Sequence, residues 1–152
     1  MRIHSSRTAS GAVLATFLLA ALTFASDHHA LNGTWTLVPA KSDYAGREVV
    51  QTGTVTIDDR QGNITVSRNF TYGGANETFF YSFSTDGQEN STIKDGKDFK
   101  SKAKWEHNVL KVATTRDGVT TRERFSLTAD GTLIVSVEQP EHRPITLVFQ
   151  RK

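Results

Sequence analysis

The sequence predicts a single all-β domain, built as an antiparallel barrel or sandwich of about ten short strands. From Leu31 onward, apolar and polar residues alternate with a period of two, as they do in strands with one buried face. Turn-forming pairs recur about every ten residues, and residues 31–152 show no apolar stripe typical of a helix. The 152 residues, 37% of them hydrophobic, provide for one core.

The segment before this domain, residues 1–25, has the three regions of a cleavable signal peptide. Basic residues precede an uncharged apolar run from Ala12 to Phe24, and small residues follow, so we expect cleavage near Ala25. The run is shorter than the roughly 20 apolar residues that span a bilayer. The mature protein is therefore expected to be periplasmic or secreted, without a membrane span, and to begin with a short polar leader at residues 26–30.

Loss of the signal segment changes the charge of the protein. The segment holds Arg2 and Arg7 but none of the 16 Asp and Glu, so the mature chain keeps equal numbers of basic and acidic residues. A neutral chain has no bulk electrostatic attraction for nucleic acid or for an anionic membrane. Since the sequence has no cysteine, it has no disulfide, no thiolate nucleophile and no Cys-ligated metal.

Ten strands are predicted, and most of their connections are expected to be tight hairpins. The strands span residues 33–38, 51–58, 62–70, 77–85, 88–93, 98–106, 108–115, 119–127, 132–138 and 144–151. Turn pairs that tolerate positive φ stand at 61–63, 73–74, 86–87, 95–96, 117–118 and 130–131. The one long connection, residues 39–50, is predicted to hold at most one helical turn.

Alternation along each strand predicts which side chains face the core. On the sixth strand the inward residues are Phe99, Ser101, Ala103 and Trp105, and the outward residues are Lys100, Lys102, Lys104 and Glu106. The charged face is expected to meet water. On the last strand, the same rule turns Ile145, Leu147 and Phe149 inward.

Both ends of the domain carry residues found in a known group of proteins. Gly33-Thr34-Trp35 looks like a Gly-x-Trp first-strand motif, and Val148-Phe149-Gln150-Arg151 is similar to a closing strand. They resemble the calycin superfamily of lipocalins and fatty-acid-binding proteins, and its small secreted bacterial lipocalin-like members in particular. The resemblance implies an up-and-down barrel in which Arg151 lies over the Trp35 ring in a cation–π contact. A β-sandwich and an avidin-like barrel of eight strands are the alternatives.

Two departures from the fatty-acid-binding pattern affect what the resemblance implies about function. Those proteins insert a helical lid after the first strand, whereas this chain has only residues 39–50, so the lid is expected to be absent or reduced to a turn. They also hold a ligand carboxylate with Arg-x-Tyr on the last strand, where this chain has Leu147-Val148-Phe149. The carboxylate clamp is not carried over.

A polar anchor inside the barrel would have to come from another strand. In the period-two alternation of the third strand, Arg68 falls on the same face as Val66 and Phe70, which places it inside the barrel. A bulge in this strand would instead turn it to solvent. On the eighth strand, the resemblance places a second inward arginine at Arg124.

Against that second arginine, two large apolar residues of opposite parity, Phe125 and Leu127, compete for the core, each worth roughly 2 kcal/mol when buried. We therefore expect Arg122 and Arg124 to lie outside. Glu123 is then left as an inward polar residue near a rim.

Two functional hypotheses follow, and the interior volume distinguishes them. In the first, the barrel binds a small apolar or amphipathic ligand, and the candidate binding residues are Arg68, Phe70, Tyr72, Phe99, Trp105, Leu147 and Phe149. In the second, side chains fill the barrel, which acts through its surface on an envelope or secreted protein partner. A cavity of a few hundred Å³ favours the first, and a filled interior favours the second.

The sequence contains few residues suited to catalysis. We expect that the protein is not an enzyme and that it has no cofactor and no metal site. His28 and His29 fall in the predicted polar leader, and no Ser-His-Asp set, metal-ligand spacing or phosphate loop is present. A haem-binding barrel enzyme is a third hypothesis, which would require His107 or His142 to point inward.

Aromatic residues straddle both faces of the fourth strand. They are Phe79, Phe80, Tyr81 and Phe83. Their outer face is expected to be exposed, covered by residues 39–50, or part of an association surface. For the oligomeric state, the sequence is compatible with a monomer and with a weak dimer.

Overall fold

The computed structural model describes residues 28–94 and 96–152, which form one ten-stranded antiparallel sheet rolled into a nearly closed barrel. The predicted signal peptide and its cleavage site lie outside the described residues. The strands are β1 (Gly33–Leu37), β2 (Thr52–Arg60), β3 (Asn63–Tyr72), β4 (Ala75–Ser84), β5 (Asp86–Lys94), β6 (Lys97–Glu106), β7 (Val109–Arg116), β8 (Val119–Leu127), β9 (Leu133–Glu138) and β10 (Ile145–Arg151). Two short 3-10 helices, His28–Leu31 and Pro39–Lys41, precede β1 and β2.

The prediction of a ten-stranded up-and-down barrel is confirmed. Neighbouring strands pair in the order β4-β3-β2-β1-β10-β9-β8-β7-β6-β5, so the first and last strands of the chain are joined side by side. Between β1 and β2, the described chain has the short helix Pro39–Lys41 where fatty-acid-binding proteins are expected to carry a helical pair. None of the described helices is long and apolar enough to cross a membrane.

One predicted hairpin is wrong. The pair Asp86-Gly87 does not turn β4 back onto β5, because these two strands form the two edges of the sheet. Gly87 instead lies within β5 at φ 77°, where the pairing with β6 shifts register between Asp86 and Glu89. A G1-type bulge and a tight hairpin turn both place a glycine at positive φ, so an Asp-Gly pair fits either one.

One end of the barrel is closed around Trp35. This side chain has no solvent exposure, and its Nε1 donates a hydrogen bond to the carbonyl oxygen of Leu31 at 2.9 Å. The guanidinium carbon of Arg151 lies 4.4 Å from the centroid of the Trp35 ring. This is the cation–π contact that the resemblance implies.

Arg151 also ties the N-terminal helix to the barrel. Its two Nη groups donate hydrogen bonds to the carbonyl oxygens of Asn32 and Ala30, both at 2.8 Å. Gly33 leaves the space for this approach, since a Cβ there would stand 2.8 Å from Arg151 Nη1, and its φ is 128°. The backbone conformation therefore favours glycine at this position, and a Cβ would also require the end of the arginine side chain to shift.

The described part of the predicted leader is not a free polar tail. His28 to Leu31 form a 3-10 helix, and the His28 ring stacks on Trp105 with centroids 4.1 Å apart and planes 3° apart. Leu31 is buried in the core. The helix is held by side-chain stacking and by the Arg151 hydrogen bonds, which polarity alone does not reveal.

The faces of β6 follow the predicted alternation. Ser101 and Ala103 are buried and Phe99 and Trp105 are half-buried, whereas the three lysines between them are exposed. Glu106, at the end of the lysine row, pairs with Lys104 at 2.6 Å and with Lys111. The lysine face is a solvated exterior crossed by ion pairs.

The second end of the barrel has a different construction from the closed end. It carries the long segment 38–51 and the connections β3–β4, β7–β8 and β9–β10, as follows from the up-and-down order of the strands. An isolated bridge between Asp43 and Thr146 fastens the long segment to β10. We call residues 38–51 the strap, because they cross this end of the barrel.

Candidate functional site

An open cavity of about 380 Å³ lies under the strap. Its apolar wall consists of Val50, Phe70, Phe79, Val137, Ile145 and Leu147. Its polar groups come from Tyr44, Arg47, Glu48, Arg68, Tyr72, Tyr81, Thr114, Thr121, Glu123 and Gln139. The volume falls within the range of roughly 300 to 1,000 Å³ that ligand pockets occupy.

A second cavity of about 200 Å³ adjoins the first. The two share Phe79, Tyr81, Thr114 and Thr121, and the second adds Phe99. It continues the interior towards the unpaired edge of β4. The barrel therefore has internal space and is not filled by its own side chains.

A buried ion pair stands in the wall of the first cavity. Arg68 Nη1 donates to Glu123 Oε1 at 2.7 Å, and the two side chains are only 12% and 9% exposed. The pair joins β3 to β8, which are far apart in the sheet order and face each other across the interior. A charge at this depth is tolerated because it has an opposite charge and a hydrogen bond beside it.

Aromatic rings hold the Arg68 guanidinium in place. Its central carbon lies 5.7 Å from the centroid of the Tyr81 ring and 5.6 Å from that of the Phe125 ring. Burial by itself lowers the pKa of Arg68, but the charge and hydrogen bond of Glu123 outweigh burial, so the pKa is raised above its usual value. Arg68 therefore stays charged at every physiological pH.

Two tyrosines of the cavity wall are neutral hydrogen-bonding groups. Burial raises the pKa of Tyr72, and the charge of Glu77 adds to this effect. Burial likewise raises the pKa of Tyr81, with Arg68 acting in the opposite direction. Both phenols keep their proton at neutral pH, so each can donate or accept a hydrogen bond.

The strap is tied across the mouth by polar contacts. Arg47 donates to Gln139 Oε1 at 3.1 Å and to the carbonyl oxygen of Arg143 at 3.3 Å. Gln139 in turn donates to Thr121 Oγ1 at 3.1 Å. These contacts connect the strap, the β9–β10 connection and β8, so a ligand entering here passes a polar rim before it reaches the apolar wall.

Four of the seven candidate binding residues lie together in the first cavity. They are Arg68, Phe70, Tyr72 and Leu147. Pairing along β3 is continuous through Arg68, so no bulge turns this side chain outward. Phe70 packs over Gly53, where a Cβ would stand 2.6 Å from the ring.

The other three candidates lie elsewhere. Phe99 lines the adjoining cavity. Phe149 is fully buried behind Phe70, with ring centroids 6.4 Å apart. Trp105 lies near the closed end beneath His28, and its buried Nε1 has no hydrogen-bond partner among the described residues.

The side chains of β8 alternate between the two faces as predicted. The sequence did not, however, reveal that the inward Glu123 pairs with Arg68. Arg122 and Arg124 are exposed, Phe125 is fully buried, and Glu123 is buried. Parity placed both Arg68 and Glu123 on inner faces as isolated polar residues of opposite charge. That shared property is the signal from which their pairing could have been inferred.

The aromatic residues of β4 alternate between the inner and the outer face of the strand. Tyr81 and Phe83 turn inward with Phe79, whereas Phe80 is 60% exposed. Residues 39–50 do not cover Phe80, because the strap lies over the cavity mouth instead.

The two domain histidines do not enter the barrel. His107 lies at a turn with φ 55°, and both His107 and His142 are exposed. Neither can serve as the inward ligand that the haem hypothesis requires. Among the described residues, no group of three or more His, Cys, Asp or Glu side chains is placed to hold a metal.

No protein-family profile matches this chain, and no curated protein sequence matches it either. Solved structures do match. The REP1-NXSQ fatty acid transporter is 19% identical with a TM-score of 0.61, and the match covers 80% of this chain and 96% of that one. Fatty-acid-binding protein 1 from Echinococcus granulosus is 17% identical with a TM-score of 0.60, covering 81% and 98%. The wild-type fluorescent protein UnaG is 18% identical with a TM-score of 0.63, covering 80% and 96%.

These likenesses and the strand order define the class of fold. The chain folds as an up-and-down antiparallel β-barrel. More particularly, it has the ten-stranded architecture of the fatty-acid-binding proteins, with a strap in the place of their expected helical lid.

Proposed function

We propose that this protein is an exported lipocalin-like barrel that binds a small apolar or amphipathic molecule beneath the strap, and that it acts as a binding protein and not as an enzyme. The observation that carries the proposal is the open cavity of about 380 Å³, whose apolar wall contains one buried ion pair. Apolar walls with a few convergent polar groups are the usual composition of a small-molecule site. The volume favours this hypothesis over a barrel filled with side chains.

The fold neighbours support the proposal by analogy. Two of the matching structures are described as a fatty acid transporter and a fatty-acid-binding protein. Fold alone does not define a ligand, so the cavity and its polar groups carry the argument. We propose a monomer or a weak dimer as the binding form.

Blocking the cavity is expected to weaken binding. Thr114 lies in both cavities and is half-buried. The variant Thr114→Trp should fill the passage between them and weaken binding of the neutral dye Nile red at least about tenfold, equivalent to about 1.4 kcal/mol. The measurement is a fluorescence titration of the purified mature protein.

The matched control is Ala113→Trp, the same bulky residue on the outer face of the same strand. Ala113 has the opposite parity to Thr114 and lies among the outward lysines and arginines. Nile red should bind this variant as it binds the unmodified protein. Equal affinity for both variants, or no dye binding to any form, would contradict binding in the cavity.

Export rests on the N-terminal sequence. The basic start, the uncharged apolar run and the small residues before Ser26 favour cleavage after Ala25. Intact-mass measurement of protein recovered from the envelope or medium of its own cells is expected to show a chain that begins near residue 26. Recovery of a full-length chain from the cytoplasm would contradict export.

A further inference from the structure

We infer that the cavity selects ligands whose polar group is uncharged and both donates and accepts hydrogen bonds, such as a primary carboxamide, in preference to carboxylates. The inference rests on the proposed function and specifies the ligand class of the same cavity. The observation behind it is the pairing of Arg68 with Glu123 within the cavity wall.

The pair presents a donor and an acceptor side by side. A guanidinium has five N–H groups and a carboxylate has about four lone-pair sites. Their mutual hydrogen bond, from Arg68 Nη1 to Glu123 Oε1, uses one of each. A carboxamide placed against the pair could accept from Arg68 and donate to Glu123 at the same time.

A carboxylate would meet a less favourable environment. Glu123 lies 2.7 Å from Arg68, so an anion near the arginine is also near the glutamate, and repulsion offsets most of the attraction. The anion must also lose its hydration in a site where both protein charges already have a partner. A neutral amide loses less hydration and is repelled by neither charge.

The remaining charges of the cavity do not change this balance. Arg47 and Glu48, at the mouth, are the other charged residues of the described lining, and they contribute one charge of each sign. Arg47 is engaged with Gln139 and with the Arg143 carbonyl oxygen. The described wall of the first cavity is therefore formally neutral. The adjoining cavity adds Lys97, Asp98 and Arg116, and Lys97 and Arg116 both lie near Asp117, at 2.9 and 3.9 Å.

The test compares decanamide with decanoate as competitors of Nile red on the mature protein at neutral pH, below the concentration at which either compound forms micelles. The two compounds have the same chain and differ in the charge of the polar group. Decanamide is expected to displace the dye with an affinity at least about tenfold higher than that of decanoate.

The variant Glu123→Gln is expected to remove the preference. It removes the negative charge and leaves Arg68 as an unbalanced cation, so decanoate affinity is expected to rise at least about tenfold. The control is Glu138→Gln, the same change on the outer face of β9, where Glu138 is paired in register with Arg122. This control should keep the preference of the unmodified protein. If Glu123→Gln does not fold, the comparison of the two ligands on the unmodified protein still decides the inference.

The outcomes separate the inference from the proposed function. Nile red binding with equal displacement by both compounds, or with stronger displacement by decanoate, overturns the selectivity and leaves cavity binding in place. Failure of Nile red and of both competitors to bind overturns the proposed function together with the selectivity. Preference for decanamide that is lost in Glu123→Gln and kept in Glu138→Gln supports both.

Discussion

Replacement of Trp35 by alanine is expected to destabilise the folded barrel by about 3–5 kcal/mol, the range for removing a large buried aromatic side chain. Trp35 has no exposed surface, so the substitution leaves a cavity at the closed end. It also removes the hydrogen bond to the Leu31 carbonyl oxygen and the ring beneath Arg151. Urea denaturation followed by circular dichroism measures the loss of unfolding free energy.

The control for this prediction is the second tryptophan. Trp105 is half-buried and its Nε1 has no hydrogen-bond partner among the described residues. Trp105→Ala is therefore expected to destabilise the protein by less than Trp35→Ala. If the two variants unfold at the same urea concentration, the closed end does not depend on the first-strand tryptophan as argued.

Alternation predicted the barrel because each strand has one face in the core and one in water. The rule placed Ser101 and Ala103 inside and the lysines between them outside, and the structure agrees. It also placed Phe125 inside at the expense of Arg124, because the free energy of apolar burial favours the aromatic residue. The paired ends of the chain followed from motifs at β1 and β10.

The alternation of side chains shows which face of a strand a residue occupies but not how far along the barrel axis it lies. This limits prediction of the site from the sequence. Trp105 and Leu147 both face inward, but Trp105 lies near the closed end, whereas Leu147 lines the cavity. Parity also does not identify a partner across the interior, so the contact between Arg68 and Glu123 was not predicted. The strap residues follow no periodic pattern, and their place over the mouth required the structure.

Loss of Arg68 is expected to be the second large effect on stability. The variant Arg68→Met leaves Glu123 as a buried carboxylate without its partner, which typically costs about 3–5 kcal/mol. The two groups are in direct contact at 2.7 Å and are almost fully buried, so solvent cannot replace the lost interaction. Urea denaturation at neutral pH measures the change.

The double variant Arg68→Met with Glu123→Leu separates the value of the pair from the cost of breaking it. Replacing a buried ion pair by apolar residues of similar size is often neutral or stabilising by about 1–4 kcal/mol. We therefore expect the double variant to recover the stability that Arg68→Met loses, which gives a large coupling energy between the two positions. A double variant that is as unstable as the sum of the two single variants would contradict this view of the pair.

The same double variant tests what the pair contributes to binding. An apolar wall in place of Arg68 and Glu123 should still bind Nile red, because the cavity and its other apolar residues remain. Decanamide should bind this variant more weakly than it binds the unmodified protein, because a buried amide without hydrogen-bond partners is unfavourable. A barrel that is as stable as the original but binds decanamide more weakly would show that the ion pair serves ligand recognition more than folding.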